Sequence, residues 1–429
     1  SGGVLMAAVT TASAHRTIEA VFKMESAKLI AGLVRLVRDV GLAEELAQDA
    51  LVAALEQWPE SGVPDKPGAW LMTTAKRRGI DLIRREQRRD DKYAQLGRTL
   101  EQEPVTFEAE VAEQLDDDIG DDLLRLIFTA CHPVLPVQSQ VALTLRLLGG
   151  LSTQEIARGF LVSEPTIAQR IVRAKRALSD AKLPFEVPAG AELAPRLESV
   201  LKVVYLIFNE GYSATAGDDL MRPSLCEEAL RLSRILAELA PKEPEVHGLL
   251  ALLEIQQSRA RTRTDAAGEP VLLLEQDRAR WDHLLIRRGL AALDQAYALD
   301  APAGPYVLQA AVAACHARAR VPEETDWPQI VRLYGALAMI RPSPIVELNR
   351  AVAVMMADGP QRGLDLVDSL TDEPALKGYH LLPSVRGDFL FRLGRFPEAK
   401  QEFERAASMT NNERERKLLA AHAAKCGLA

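Results

Sequence analysis

Apolar residues recur at spacings of three and four along nearly the whole chain, and strict alternation is scarce, so the pattern predicts helices rather than strands. Leu29, Leu33, Leu36 and Val37 mark one amphipathic helix, and Leu42, Leu46, Ala50 and Leu55 a second. Residues 58–68, WPESGVPDKPG, hold three prolines and two glycines, which predicts a loop. A third helix follows from Ala69, and Trp70 at its start reads more readily as a core ring than as a stacking platform. Further along, Ser152 and Glu155 form an S-x-x-E capping box, which satisfies the open amides of a helix start. That helix ends near Gly159, Ser163 is placed to cap the next, and Pro165 is tolerated in its first turn. Ile167, Ile171, Ala174 and Leu178 then form one buried stripe, while Thr166, Gln169, Arg170, Arg173 and Arg176 take the other face. Two helices of this kind, joined by a short turn, suit a major groove: N-terminal side chains meet base edges and later arginines lie near phosphates.

Beyond residue 183, Pro184 and Pro188 introduce a block of more than half the chain in which helices pair across short Gly/Pro turns. Residues 385–409 carry the small/large pattern of a tetratricopeptide helix pair in Leu390, Leu393, Gly394, Ala399, Phe403 and Ala406. Gly359 precedes Gly394 by 35 residues, close to the roughly 34-residue period of such repeats. Composition agrees with helix throughout: Leu, Ala, Arg and Glu dominate, and a hydrophobic content of 48% supports burial in several compact units. The expected fold class is all-α.

Charge changes this picture locally. The net charge of -8 argues against a general polyanion binder, yet it averages unlike segments. Residues 76–89 hold seven cations, Lys76, Arg77, Arg78, Arg84, Arg85, Arg88 and Arg89, against Asp81 and Glu86, a density that suits phosphates. Residues 99–124 then hold ten acids, Asp116, Asp117 and Asp118 among them, and no Lys or Arg, which predicts an extended linker. The resulting plan is a disordered stretch at 1–16 (Ser1 to Gly3 a cloning remnant), a basic helical domain at 17–92, an acidic linker at 93–122, a helix-turn-helix domain at 123–183 and the helical block at 184–429. Cys131, Cys226, Cys315 and Cys426 form no C-x-x-C clip, which points to a reduced, cytoplasmic chain without structural zinc, and no cofactor is expected. No apolar run reaches membrane-spanning length and the start lacks a basic signal region, so no membrane role is expected.

Together these residues resemble the bacterial sigma factors of the extracytoplasmic-function group. PGAWLMTTAKRRGIDLIRRE (67–86) is similar to the end of their region two, EELAQDALVAALEQW (44–58) to the helix that docks on the polymerase clamp, and residues 151–178 to region four. FNEGYSA (208–214), QDRARWD (276–282), GPYVLQAA and PSPIVELNRAVA are similar to the large C-terminal extension of one subgroup. The resemblance implies binding to core RNA polymerase and promoter DNA. It places Leu46 with Leu51 as packing residues on a polymerase coiled coil, and Glu45, Gln48 and Asp49 as polar contacts there. Lys76, Arg77, Arg78, Arg84 and Arg85 would hold the melted minus-ten strand, with the preceding loop capturing an unstacked base. Lys76-Arg77 departs from the Arg-Asn common at that point of the family. Thr166, Gln169, Arg170, Arg173 and Arg176 would serve the minus-thirty-five element, where Arg suits guanine and Gln adenine. The acidic linker would thread the cationic cleft and exit channel of the polymerase. The C-terminal block would regulate activity, through a concave surface for a regulatory protein or ligand.

Two other classes fit less well. An enzyme would draw on Asn209, Glu210 and Tyr212, or on Asp277 with Asp282, but Gly211 suits a helix end and aspartates five apart share no helix face. His247, His283, His316 and His380 have no ligand spacing. A helix-turn-helix regulator acting without polymerase would leave the basic 76–89 helix and the loop before it without a role.

Overall fold

The structure, a computed structural model, describes residues 2–94, 119–160, 162–212, 221–266, 270–410 and 412–427. Among them are 18 α-helices and no strand, in agreement with the all-α expectation. Two compact units result, residues 1–203 and 204–429.

The first unit opens with α1 (Gly2–Val37), α2 (Val40–Ser61) and α3 (Pro67–Ala94). The path of α1 reaches back to Gly2, through the stretch expected to be disordered, and no glycine or proline interrupts residues 4–31. Leu29, Leu33, Ala43, Leu46, Ala50, Leu71 and Ala75 fill the space between the three helices. The loop expected at 58–68 is shorter than the prolines suggested, because α2 continues through Pro59 to Ser61. Trp58 explains the difference: it is buried and meets Trp70 edge to face at 5.2 Å, and Gly62, at φ +82°, closes the helix by donating to the Trp58 carbonyl. Burying one large ring outweighs the amide lost at a proline near a helix end. Trp70 is therefore a packing residue, partly exposed.

Four helices follow in the same unit: α4 (Ile119–Ala130), α5 (Val137–Leu147), α6 (Thr153–Phe160) and α7 (Glu164–Ala181). Ile167, Ile171, Ala174 and Leu178 of α7 are buried, the stripe their spacing predicted. The last acids of the expected linker, Asp121 and Asp122, stand in the first turn of α4, where negative charge suits the helix dipole. α8 (Leu193–Tyr212) begins in this unit, where Arg196 donates to the Phe128 carbonyl at 3.0 Å and the Ser199 hydroxyl to the Cys131 carbonyl at 2.8 Å.

The second unit contains α9 (Pro223–Leu239), α10 (Pro244–Ser258), α11 (His283–Ala298), α12 (Pro305–Arg318), α13 (Trp327–Ile340), α14 (Pro344–Asp358), α15 (Pro360–Asp368), α16 (Leu381–Arg392), α17 (Phe396–Met409) and α18 (Glu413–Lys425). The repeat read from the sequence is real: Gly359 turns α14 into α15 at φ +99°, and Gly394 turns α16 into α17 at φ +75°. Both positions lie in the left-handed region that disfavours a side chain. Leu348, Met355, Leu364, Phe389, Leu390 and Phe403 form the core of these two pairs.

The charged motifs of this unit serve its own packing. Asp277 caps a short 3-10 turn, and Asp282 caps α11 by accepting from the amides of Leu284 and Leu285. Arg278 is buried between them and donates to the carbonyls of His316 and Ala319, at 2.9 and 3.0 Å, and to the Thr325 hydroxyl. It thus satisfies the open carbonyl end of α12. Both aspartates are engaged as caps. Glu210 pairs with Arg222, and Tyr212 stacks on Phe208 and under the Arg263 guanidinium.

Candidate nucleic-acid and polymerase interface

The helix-turn-helix is built by its two caps. The Ser152 amide donates to Glu155 Oε2 at 2.7 Å, and the Glu155 amide to Ser152 Oγ at 3.1 Å. Burial alone would raise the Glu155 pKa, but the Ser152 hydrogen bonds, with Lys23 and Arg158 nearby, hold it below the usual carboxylate range. Ser163 then accepts from the Thr166 amide, and its hydroxyl meets Thr166 Oγ1 at 2.7 Å. Thr166 is half-buried, and its hydroxyl shares a hydrogen bond with the capping Ser163. Gln169, Arg173 and Arg176 are exposed on one face of α7, with Arg170 half-buried beside them and Arg176 within 3.6 Å of Asp180.

On α3, Arg77, Arg84 and Arg85 are exposed and Lys76 and Arg78 half-buried; Arg78 reaches Asp49 on α2 at 3.2 Å. On α2, Glu45 and Asp49 are exposed and Gln48 is half-buried. Leu46 is not on this surface. It is 1% exposed, and a Cβ added at Gly79 of α3 would stand 3.2 Å from its Cδ1. The helical period puts residue 46 on the same side as Ala43, Ala47 and Ala50, so it holds α2 on α3 rather than a partner. Asp116, Asp117 and Asp118 lie outside the described residues.

The sequence reading missed the residue that joins the two halves of this unit. Glu44 of α2 is 5% exposed and receives Arg146 Nε of α5 at 2.6 Å and Lys175 Nζ of α7. Arg146 also donates to the Leu151 carbonyl, at the start of the helix-turn-helix. A second tie runs from Arg35 of α1 to Asp122 of α4, 3.6 Å away, which Arg125 also holds at 2.6 Å. A third, exposed, joins Lys23 to Glu155 at 3.8 Å. The signal was present: a carboxylate on the alanine-lined side of α2 needs a cation in a buried setting. Lys175 was legible as off the polar face of α7, but nothing nearby in sequence named its partner.

Comparison with known proteins agrees with this architecture. The sigma-70 region 2 family matches residues 22–89, the sigma-70 region 4 family residues 125–178, and a family of unknown function (DUF6596) residues 196–297. An uncharacterized protein of Rhizobium meliloti (strain 1021) is 46% identical over 89% of both chains. The ECF RNA polymerase sigma factor SigK of Mycobacterium ulcerans (strain Agy99) is 29% identical over 39% of this chain and 87% of its own. SigK of Mycobacterium bovis (strain BCG / Pasteur 1173P2) is 30% identical over 34% of this chain and 76% of its own. The chain belongs to the extracytoplasmic-function RNA polymerase sigma factors, in a branch with a large C-terminal extension. No solved structure matches it. In this sigma factor the basic face of α3 and the polar face of α7 belong to the region-two and region-four modules of a transcription initiation factor. No helix among the described residues is long and apolar enough to cross a membrane, and no cluster of His, Cys, Asp and Glu among them is arranged to hold a metal ion. Its cysteines are unpaired, and burial pushes the thiols of Cys131 and Cys226 up to about 12, far from reactive thiolates.

Proposed function

We propose that this sigma factor binds core RNA polymerase through the exposed side of α2, around Glu45, Gln48 and Asp49, and directs promoter-specific initiation. Arg77, Arg84 and Arg85, with Lys76 and Arg78 behind them, hold the melted minus-ten strand. Gln169, Arg170, Arg173 and Arg176 enter the major groove at the minus-thirty-five element, with Thr166 fixing the helix start. The observation that carries this reading is the polar face of α7, with Gln169 and Arg173 exposed opposite a fully buried stripe and behind two satisfied caps. Arg173 and Gln169 there have the donor geometry that reads guanine and adenine.

The two DNA elements lie about 25 base pairs apart by their names, roughly 85 Å at 3.4 Å per step. In the packed unit Glu44 links α2 directly to α7, so the two modules separate on a promoter. The acidic linker has the length for it: residues 95–118 span about 80 Å when extended. Its carboxylates, Asp116, Asp117 and Asp118 included, suit the cationic route through the polymerase. The C-terminal helical block regulates polymerase binding or activity.

The deciding experiment is transcription by core RNA polymerase with the full-length protein added, over a library of promoters. Stoichiometric binding and selective initiation without ATP hydrolysis are expected. Binding to DNA with no binding to polymerase would instead make the chain a regulator of the helix-turn-helix type.

A further inference from the structure

A cleft of about 610 Å³ opens on the surface of the first unit, where the turn between α1 and α2 faces the end of α7, with Arg38 and Lys182 exposed at its edge. Its volume falls in the range of pockets that enclose a small organic ligand. Arg35, already held by Asp122, lines it together with two further cations, Arg38 and Lys182, and one carboxylate, Asp39. That carboxylate is already used: Asp39 caps α2 and accepts from the Leu42 amide at 2.8 Å. Val34, Leu178 and Phe185 supply an apolar wall. Cations beside apolar side chains suit a ligand that carries both an anionic group and an apolar body.

The backbone adds an independent sign. Arg38 follows α1 at φ +54° and Lys182 follows α7 at φ +46°, both in the left-handed region. Glycine or asparagine is the usual residue at such a helix end, and side chains held there cluster at ligand sites. Of the three non-glycine residues with positive φ among the described residues, two are these cations on one cleft.

We propose that this cleft binds a small amphipathic anion: a carboxylate, sulfonate or phosphate group on an aromatic or acyl body. The head group pairs with Arg38 and Lys182, and the body lies against Val34, Leu178 and Phe185. Because Arg38 belongs to the region-two module and Lys182 to the region-four module, the occupant bridges them and stabilises their packed arrangement. Binding itself does not depend on the role of either module in transcription.

The test uses the full chain and 8-anilinonaphthalene-1-sulfonate, whose fluorescence reports entry into an apolar site. N-phenyl-1-naphthylamine is the control, the same body without the sulfonate. Saturable one-site binding of the sulfonate is expected. It weakens at least tenfold in a variant carrying Arg38→Gln and Lys182→Gln, and is retained in one carrying Arg38→Lys and Lys182→Arg. Binding of the neutral probe is the same in all three proteins. Unaltered melting curves show that the variants fold. No saturable binding, or equal sulfonate affinity in the Gln variant and the parent, overturns the proposal.

Discussion

Glu44→Gln isolates the tie between the two DNA-binding modules, because it keeps the shape of the side chain and removes its charge. The carboxylate is 7% exposed at its side chain, and its partners Arg146 and Lys175 are 24% and 23% exposed. Removing one member of a fully buried ion pair costs about 3–5 kcal/mol, since the remaining charge is left without a partner. Here both cations retain some water and Arg146 keeps the Leu151 carbonyl, so a loss of about 2–3 kcal/mol is the better figure. At about 1.4 kcal/mol per factor of ten, that shift opens the seam roughly 30- to 150-fold more often. Hydrogen exchange of the free full-length protein reads this directly. Amides of α2 and α7 exchange faster by that factor, while those of α14 to α17 keep their rates. A double-mutant cycle with Lys175→Met then gives a coupling of about 1–2 kcal/mol, as expected for side chains in contact. Additivity of the two substitutions, or exchange rates in α2 and α7 equal to the parent's, would refute the assignment of Glu44 as the joint.

Further outcomes follow from other parts of the chain. Arg170→Ala and Arg173→Ala each weaken promoter binding by about 1–3 kcal/mol where the contact is to a base, and near-equal losses on all sequences mark a phosphate contact instead; unchanged footprints mean the wrong face of α7 was chosen. Burial, with Arg259 and Arg278 close by, lowers the His316 pKa from its ordinary 6.5 to about 3. The unfolded chain therefore takes up a proton that the folded one refuses, and stability falls as pH drops from 6.5 towards 3, by about 1.4 kcal/mol per pH unit. Urea midpoints of His316→Phe followed by tryptophan fluorescence have a shallower acid slope, and an unaltered slope refutes the sign. Changing Asp116, Asp117 and Asp118 to Lys impairs RNA synthesis more than it shifts the melting curve; equal activity in abortive and full-length synthesis makes the linker a passive tether.

Local signals made much of this molecule legible. The stripe of α7, both caps of the helix-turn-helix and the paired glycines 35 residues apart all depend on neighbours within one or two turns, and sequence holds that information. Pro59 misled because its effect is decided by Trp58 meeting Trp70, a tertiary contact that overrides a local breaker. Leu46 was assigned to an outer surface although its spacing from Ala43 and Ala50 already placed it inside. Glu44, Arg146 and Lys175 lie far apart in the chain, and only folding brings them together. The same holds for Arg278, whose partners are the carbonyls of α12 and a threonine 47 residues away.

The glycine-turned helix pairs of the second unit have a thermodynamic consequence. In a stacked array each pair owes its stability to its own folding and to the faces of its immediate neighbours, as in a one-dimensional chain of coupled spins. At Gly359 and Gly394 nothing stands within 4 Å of where a side chain would begin, so each glycine answers only to the sign of its φ angle. Strain introduced at Gly394 loosens α16 to α18 and weakens with each interface crossed towards α9. In such a unit the stability read at one helix pair is set by that pair and its neighbours, so probes in different pairs report different midpoints.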